Sequence, residues 1–209
     1  MNKIIFALPI TAAFLVLMGV SAQMNFAAEG FNSSNTVNKS KEEAMPLSGT
    51  KKILVAYFSL TGNTREIANQ IHKIVGGDLF EIQPVKPYPT EHDAAVKLAR
   101  QELASGDKPA LKTKVENIKS YDLIFIGYPN WCSTIPAPVK TFLSEYDLSG
   151  KTIVPFCTYG GGGLGRSVSD ISKLCPKSTL LESVAIRGSD VKTAQNEVSE
   201  WLRKIGIAK

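Results

Sequence analysis

Cysteine and histidine are scarce: the 209-residue chain has 3 Cys and 2 His. Three thiols cannot build a disulfide-dense scaffold or a multi-cysteine zinc or iron–sulfur module. Two imidazoles, His72 and His92, are too few for a transition-metal enzyme. A strong excess of one charge is also lacking. Lys and Arg total 24 against 19 Asp and Glu, a net charge of +5. That permits an anionic partner but is too mild to argue for nucleic acid. Hydrophobic residues at 44% and charged residues at 21% are globular values, which exclude a disordered, collagen-like or coiled-coil chain. The length suggests one domain with an appendage, or two small domains.

The appendage is at the start. Lys3 precedes an uncharged apolar run over residues 4–20, and Val20-Ser21-Ala22 puts small residues where a signal peptidase reads. This pattern predicts a signal peptide over 1–22, cleaved after Ala22, and an exported protein, periplasmic or extracellular. The run has about the shortest length that crosses a bilayer, and no basic stop-transfer cluster follows it. An uncleaved membrane anchor is the alternative; after cleavage no stable span remains. No Cys follows the run and no twin-Arg pair occurs, which argues against a lipoprotein anchor and against export in the folded state. Residues 23–50 are rich in Asn, Ser, Lys, Glu and Ala and lack any sustained period, so they read as a flexible linker. Residues 51–209 remain as one folded domain, long enough to bury a core.

Within that domain strand and helix signals alternate. Continuous apolar runs at 53–58, 123–127 and 152–158 read as buried parallel strands, with shorter strands at 79–82 and 180–186. Helical stripes fall at 64–75, 92–103, 136–146 and 164–174, and a last helix carries Val191, Ala194, Val198, Trp201, Leu202 and Ile205. Five strand–helix units predict an α/β fold, a three-layer αβα sandwich on a five-stranded parallel sheet. Pro155 falls inside the fourth strand, where it cannot donate to the ladder, so an irregularity is expected there.

Three loops carry the chemistry. Ser59-Leu60-Thr61-Gly62-Asn63-Thr64 joins the first strand to the first helix. Its hydroxyls, its amide and a helix N-terminus suit a phosphate, although a capped turn uses the same residue types. No Lys follows Gly62, which excludes a Walker A nucleotide loop. Tyr128-Pro129-Asn130-Trp131-Cys132-Ser133-Thr134 follows the third strand, and Thr158-Tyr159-Gly160-Gly161 follows the fourth. In a parallel sheet all three emerge at the carboxyl edge, where ligands bind. Trp131 and Tyr159 offer flat faces to an aromatic ring, and the glycines let backbone approach it.

These motifs together resemble the flavodoxin family, in its bacterial flavodoxin-like branch. Thr61-Gly62-Asn63-Thr64 after Ala56-Tyr57-Phe58-Ser59 is similar to the family's phosphate loop. Tyr128-Pro129-Asn130-Trp131 with Ile135-Pro136-Ala137-Pro138-Val139-Lys140-Thr141-Phe142 resembles its flavin-ring loop, as does Thr158-Tyr159-Gly160-Gly161 with Gly163-Leu164-Gly165-Arg166-Ser167. The resemblance implies strand order 2-1-3-4-5, noncovalent FMN and electron transfer. It places the phosphate on Ser59, Thr61, Gly62, Asn63 and Thr64, with Leu60 in the same loop. It places the ring between Pro129, Asn130, Trp131, Cys132 and Ser133 on one side and Thr158, Tyr159, Gly160 and Gly161 on the other. It implies redox partner proteins or small electron acceptors as partners. Relatives commonly carry a second Trp and then Gly where this chain has Cys132 and Ser133. Residues 128–134 contain no glycine, so the peptide flip by which flavodoxins stabilise a half-reduced flavin is not expected. Flavodoxins are usually acidic, whereas a +5 chain suits acidic partners.

Alternatives remain open. The same pocket would serve an FMN-dependent NAD(P)H:quinone-type reductase, since the flavin carries the chemistry in both. The absence of a long insertion near 180–186 favours the carrier. Gly160, Gly162 and Gly165 with Glu182 satisfy a dinucleotide-binding pattern, but outside the first strand–helix unit. A flavin-free exported binding module is the non-catalytic reading. Among the thiols, Cys132 and Cys157 are expected near the carboxyl edge and Cys175 at the far end of the fourth helix, too distant for a bridge to either. A Cys132–Cys157 pair is left open, and Cys132 is the candidate for redox chemistry. His72 and His92 read as solvated helix residues.

Overall fold

A computed structural model describes residues 51–209; the expected signal peptide over 1–22 and linker over 23–50 lie outside the described residues. Strands and helices alternate as β1 (Ile53–Tyr57), α1 (Asn63–Val75), β2 (Asp78–Glu81), α2 (His92–Ser105), β3 (Leu123–Pro129), α3 (Ala137–Glu145), β4 (Thr152–Tyr159), α4 (Ser167–Leu174), β5 (Thr179–Leu180), β6 (Val184–Arg187) and α5 (Gln195–Lys204). The strands lie in the order β2-β1-β3-β4-β5, with β6 also on β4, and every pair is parallel. No helix among the described residues is long and apolar enough to cross a membrane.

The continuous apolar runs arise because both sheet faces are covered. Side chains alternate across a strand. Leu54 and Ala56 of β1 join Ile124, Ile126 and Ile153 beneath Val139 and Phe142 of α3 and Ile171 of α4. Val55 and Tyr57 turn the other way, with Phe125, Val154 and Phe156, onto Ile67 and Ile71 of α1 and Val198 and Leu202 of α5. Each fully buried Ile, Leu, Val or Phe side chain contributes about 1.5–3 kcal/mol relative to exposure. The result is the three-layer sandwich that the strand–helix alternation predicts.

The fifth strand departs from expectation. It is not continuous over 180–186 but splits into β5 and β6, with no strand over residues 181–183 and the last bond to β4 before the gap made by Leu181. The cause is Pro155. Leu181 N–H donates to Ile153 O at 3.0 Å, so Ile153 faces the fifth strand. Backbone direction alternates along a parallel strand, so Pro155, two residues on, faces the same way but has no N–H to offer. The ladder resumes only at Phe156 opposite Val184. β4 itself runs unbroken, with Pro155 opposite Ile126 of β3. The irregularity expected at Pro155 therefore falls in its neighbour.

Gly127 marks the tightest internal contact. It sits on β3 opposite Phe156 of β4, and a Cβ there would lie 2.1 Å from the Phe156 ring. With neighbours on both faces the ring has nowhere to go. Gly127→Ala is expected to destabilise the protein by about 3 kcal/mol through overpacking, seen as a lower denaturant midpoint; an unchanged midpoint would contradict this packing.

Candidate functional site

The first loop begins where β1 ends. Ser59 Oγ accepts a 3.1 Å hydrogen bond from Gly62 N–H, which folds the loop back on itself. Gly62 is the N-cap of α1 at φ +92°, a conformation that favours glycine, and no side chain caps this helix. The first-turn N–H groups of Asn63 and Thr64 therefore stay open at the positive end of the helix dipole. Thr64 is buried, and its Oγ1 lies 2.8 Å from Thr158 Oγ1, tying the first loop to the fourth.

The third loop is shorter than the sequence suggests. Tyr128 and Pro129 belong to β3, and buried Tyr128 donates its hydroxyl to Ser167 Oγ at 2.9 Å. Burial raises the Tyr128 phenol above its ordinary range. Trp131 and Thr134 then exchange two backbone hydrogen bonds of 3.0 Å around Cys132 and Ser133. Both central residues have positive φ, 50° and 62°, the conformation of a type I′ turn. A side chain in this region costs about 1–2 kcal/mol per residue, so the surroundings must enforce the turn. Ser133 O accepts from Arg166 N–H at 2.8 Å, and the Thr134 hydroxyl donates to the Asp170 carboxylate. Asn130 N–H donates to Thr158 O at 2.7 Å, and its side-chain amide donates to Gly163 O. Gly165 makes this docking possible: at φ +54°, its Cβ would lie 2.5 Å from Ser133 O.

Trp131 divides its ring between core and surface. It meets Tyr88 edge-on at 4.8 Å and Phe58 at 5.4 Å between centroids, while also lining a cleft. That cleft, of about 630 Å³, opens at the carboxyl edge. Leu60, Thr61, Asn63, Pro129, Asn130, Trp131, Cys132, Ser133, Thr158, Tyr159, Gly160 and Gly161 line it; Ser59, Gly62 and Thr64 lie behind and shape the loop. A Cβ at Gly160 or Gly161 would meet nothing within 4 Å, so bare backbone faces open space. Asn130 Oδ1 is buried and has no partner. The volume is that of a small-molecule site.

Two walls of the cleft were not foreseen. One is α2, through His92, Ala95, Val96, Ala99 and Arg100, with Thr90 just before it. Ala95 and Ala99, buried and four residues apart, are the sequence signal that this helix turns a smooth face inward. His92 is exposed, as expected, but stands at the cleft lip. The other is Gly188, just past β6, where a Cβ would lie 2.7 Å from Asn63 Nδ2. Beside it the Arg187 guanidinium stacks over the Tyr159 ring at 5.9 Å. The dinucleotide pattern dissolves in this geometry: Gly165 makes room for the Ser133 carbonyl, and Glu182 pairs with Lys204 of α5.

All three cysteines are free, and Cys132 and Cys157 form no bridge. Cys157 is buried below the third loop, and burial pushes its thiol up to about 12; Cys175 is likewise raised to about 11. Cys132 alone is exposed.

Comparisons with known proteins agree with this arrangement. A sequence family described as Flavodoxin matches residues 52–205. A solved structure of a candidate flavoprotein from Bacteroides eggerthii is 37% identical, over 74% of this chain and 98% of that chain, with a TM-score of 0.66. A second, from Bacteroides uniformis, is 30% identical over 73% and 98%, with a TM-score of 0.63. A Lactobacillus acidophilus flavoprotein in complex with FMN is 24% identical over 68% and 97%, with a TM-score of 0.58, a likeness of fold. None of the curated proteins matches the sequence.

Two outcomes follow from the turn and its support. Burial alone would raise the Asp170 carboxyl, but the Thr134 hydroxyl and Arg166 guanidinium, with Lys173 nearby, hold it below the usual range. A depressed carboxyl stabilises above its unfolded value near 3.9 and loses that contribution as pH falls through its native value. Asp170→Asn should therefore cost about 1 kcal/mol at neutral pH, with the gap to wild type closing in acid denaturation series. Iodoacetamide at mildly alkaline pH should label Cys132 and spare Cys157 and Cys175 in the native chain, as read by peptide mass spectrometry.

Proposed function

Because the chain belongs to the flavodoxin family, we propose that its cleft holds FMN noncovalently and that the protein carries electrons between partners. The observation that carries this reading is the convergence of an uncapped helix N-terminus and two aromatic-bearing loops on one cleft. The residues present fit the group. Thr61, Asn63 and the open N–H groups of α1 suit the phosphate. Trp131 on one side, with Tyr159 and the bare backbone of Gly160 and Gly161 on the other, suits a flat ring. The orphaned Asn130 Oδ1 is an acceptor awaiting a donor at the same place. When bound, the flavin supplies reversible uptake of electrons.

The chain's own residues do the positioning. The clamps from Arg166 and Asp170 keep the 131–134 turn fixed, and the Thr64–Thr158 hydroxyl pair keeps the phosphate and ring loops in register. Ser133 O, the carbonyl nearest the turn's end, is committed to Arg166 N–H rather than free to rotate. Tyr88 backs Trp131 and donates to Glu102 of α2, whose carboxyl burial pushes up. A positive chain suits partners with acidic docking faces or small electron acceptors. The leader read from residues 1–22 adds export, with FMN captured after crossing.

The test is a visible spectrum and FMN titration of the full-length protein beside Trp131→Ala. Wild type should bind FMN with a yellow flavin spectrum. The variant, shown folded by circular dichroism, should bind about tenfold more weakly, the loss of roughly 1.4 kcal/mol of ring contact. No flavin bound at micromolar FMN would refute the assignment and leave a flavin-free binding module.

A further inference from the structure

One ionisable residue on α2 stands where the helix turns its apolar side inward. Ala95 and Ala99 are buried at the cleft, and Glu102 follows three residues later on the same stripe, half-buried. A carboxyl there gives up hydration, a cost that calls for a partner. None of the ion pairs among the described residues includes Glu102. Its partner is neutral: the Tyr88 hydroxyl donates to Glu102 Oε2 at 2.6 Å. Tyr88 is itself buried, and its ring meets Trp131 at 4.8 Å with 77° between the planes. Phe58 also meets Trp131, at 90°, and lies 5.6 Å from Tyr88. The three rings thus form one cluster, and Trp131 is the member that lines the cleft. The Tyr88–Glu102 bond fastens this cluster to α2.

We infer that Glu102 is a positioning residue, which as a carboxylate holds Tyr88 and, through it, sets the tilt of the Trp131 indole that walls the cleft. The inference rests on the FMN reading and deepens it, by giving the ring wall a support on α2 that responds to pH. A hydroxyl bonds a carboxylate about twice as strongly as it bonds a neutral acceptor. Protonating Glu102 removes that advantage, so Tyr88 is freer to turn and Trp131 loses a fixed neighbour. Burial raises the Tyr88 phenol, which therefore stays the donor. The ionisable groups facing Glu102 are Tyr88 from the segment after β2, Asp107 just past α2 and Lys140 of α3. Burial pushes the Glu102 carboxyl up and the Tyr88 bond opposes this; Asp107 adds to the rise and Lys140 reduces it. The outcome is a carboxyl above its ordinary range, which sheds its charge in mild acid. The ionised form holds the wall, so the support is present above the native Glu102 value and is lost as pH falls through it.

The experiment titrates full-length protein with FMN at mildly alkaline and mildly acidic pH, as wild type, Glu102→Gln, Tyr88→Phe and the double variant. Glutamine keeps the shape, phenylalanine keeps the ring, and circular dichroism checks the fold of each. At mildly alkaline pH each single variant should bind FMN about fivefold more weakly, part of the worth of one charge-assisted hydrogen bond. The double variant should also lose about fivefold, not about twenty-fivefold, because both changes break the same bond. In mild acid the gap between wild type and Glu102→Gln should close to less than about twofold. The phosphate of FMN titrates in this range too, but equally for every protein compared, so it cancels from the ratio. A loss of ordinary packing would be the same at both pH values. Additive losses, a gap unchanged by pH, or variants that bind as wild type does would overturn the inference. If Glu102→Gln fails the fold check, Tyr88→Phe carries the same comparison with pH. The emission of Trp131, taken as the difference from Trp131→Phe, gives a reading without flavin. Its quenching by acrylamide should rise in acid in wild type and be already high, and independent of pH, in Glu102→Gln. If wild type binds no FMN, the function proposed above fails by itself. The quenching then decides: the acid-dependent rise in wild type alone sustains the positioning role, and identical profiles refute it.

Discussion

Burying both faces of a parallel sheet is the constraint on which the other features depend. The strands run the same way, so every strand-to-helix loop opens at one edge. The helices that return the chain must cover both faces, which is why β1, β3 and β4 are apolar at consecutive positions. The site follows from this: loops distant in sequence meet because parallel strands bring their ends together. The Thr64–Thr158 pair spans 94 positions of sequence in one 2.8 Å contact. Gly127 against Phe156 shows how closely the central strands must approach for that register to hold.

Within this frame the 131–134 turn is the costly element. Cys132 and Ser133 both occupy left-handed conformations that glycine would adopt without strain. The turn persists because α4 over-determines it, through Arg166 N–H on Ser133 O and the Asp170 carboxylate on Thr134. The consequence is rigidity along that side of the cleft. A glycine turn would leave that peptide adjustable; this one is held at both ends.

Much of the fold was legible because its signals are local. The apolar runs, the glycine stop after α1 and the prolines before α3 each report their own element. The loops that carry hydroxyls, Trp131 and the glycines were legible for the same reason, since their chemistry is written in consecutive residues. The α2 wall was not. Ala95, Val96, Ala99 and Arg100 look like any amphipathic helix, and only tertiary packing places them in one cleft with Trp131. Gly188 was missed because its contact, Asn63, lies far away in sequence. The split of the fifth strand was half legible: Pro155 announced a missing donor, but which strand would yield depended on which neighbour its nitrogen faced.

That missing donor has a bearing on how the molecule behaves among its own kind. The fifth strand is the outer border of the sheet on that side, and an outer border with free backbone groups is a template on which another chain can add a strand. Here the border is cut into segments of two and four residues. Neither offers a long, flat row of donors and acceptors. With such an edge, the collision most apt to seed aggregates finds little to grip. A single imino acid in the interior of β4 thus guards the rim one strand away.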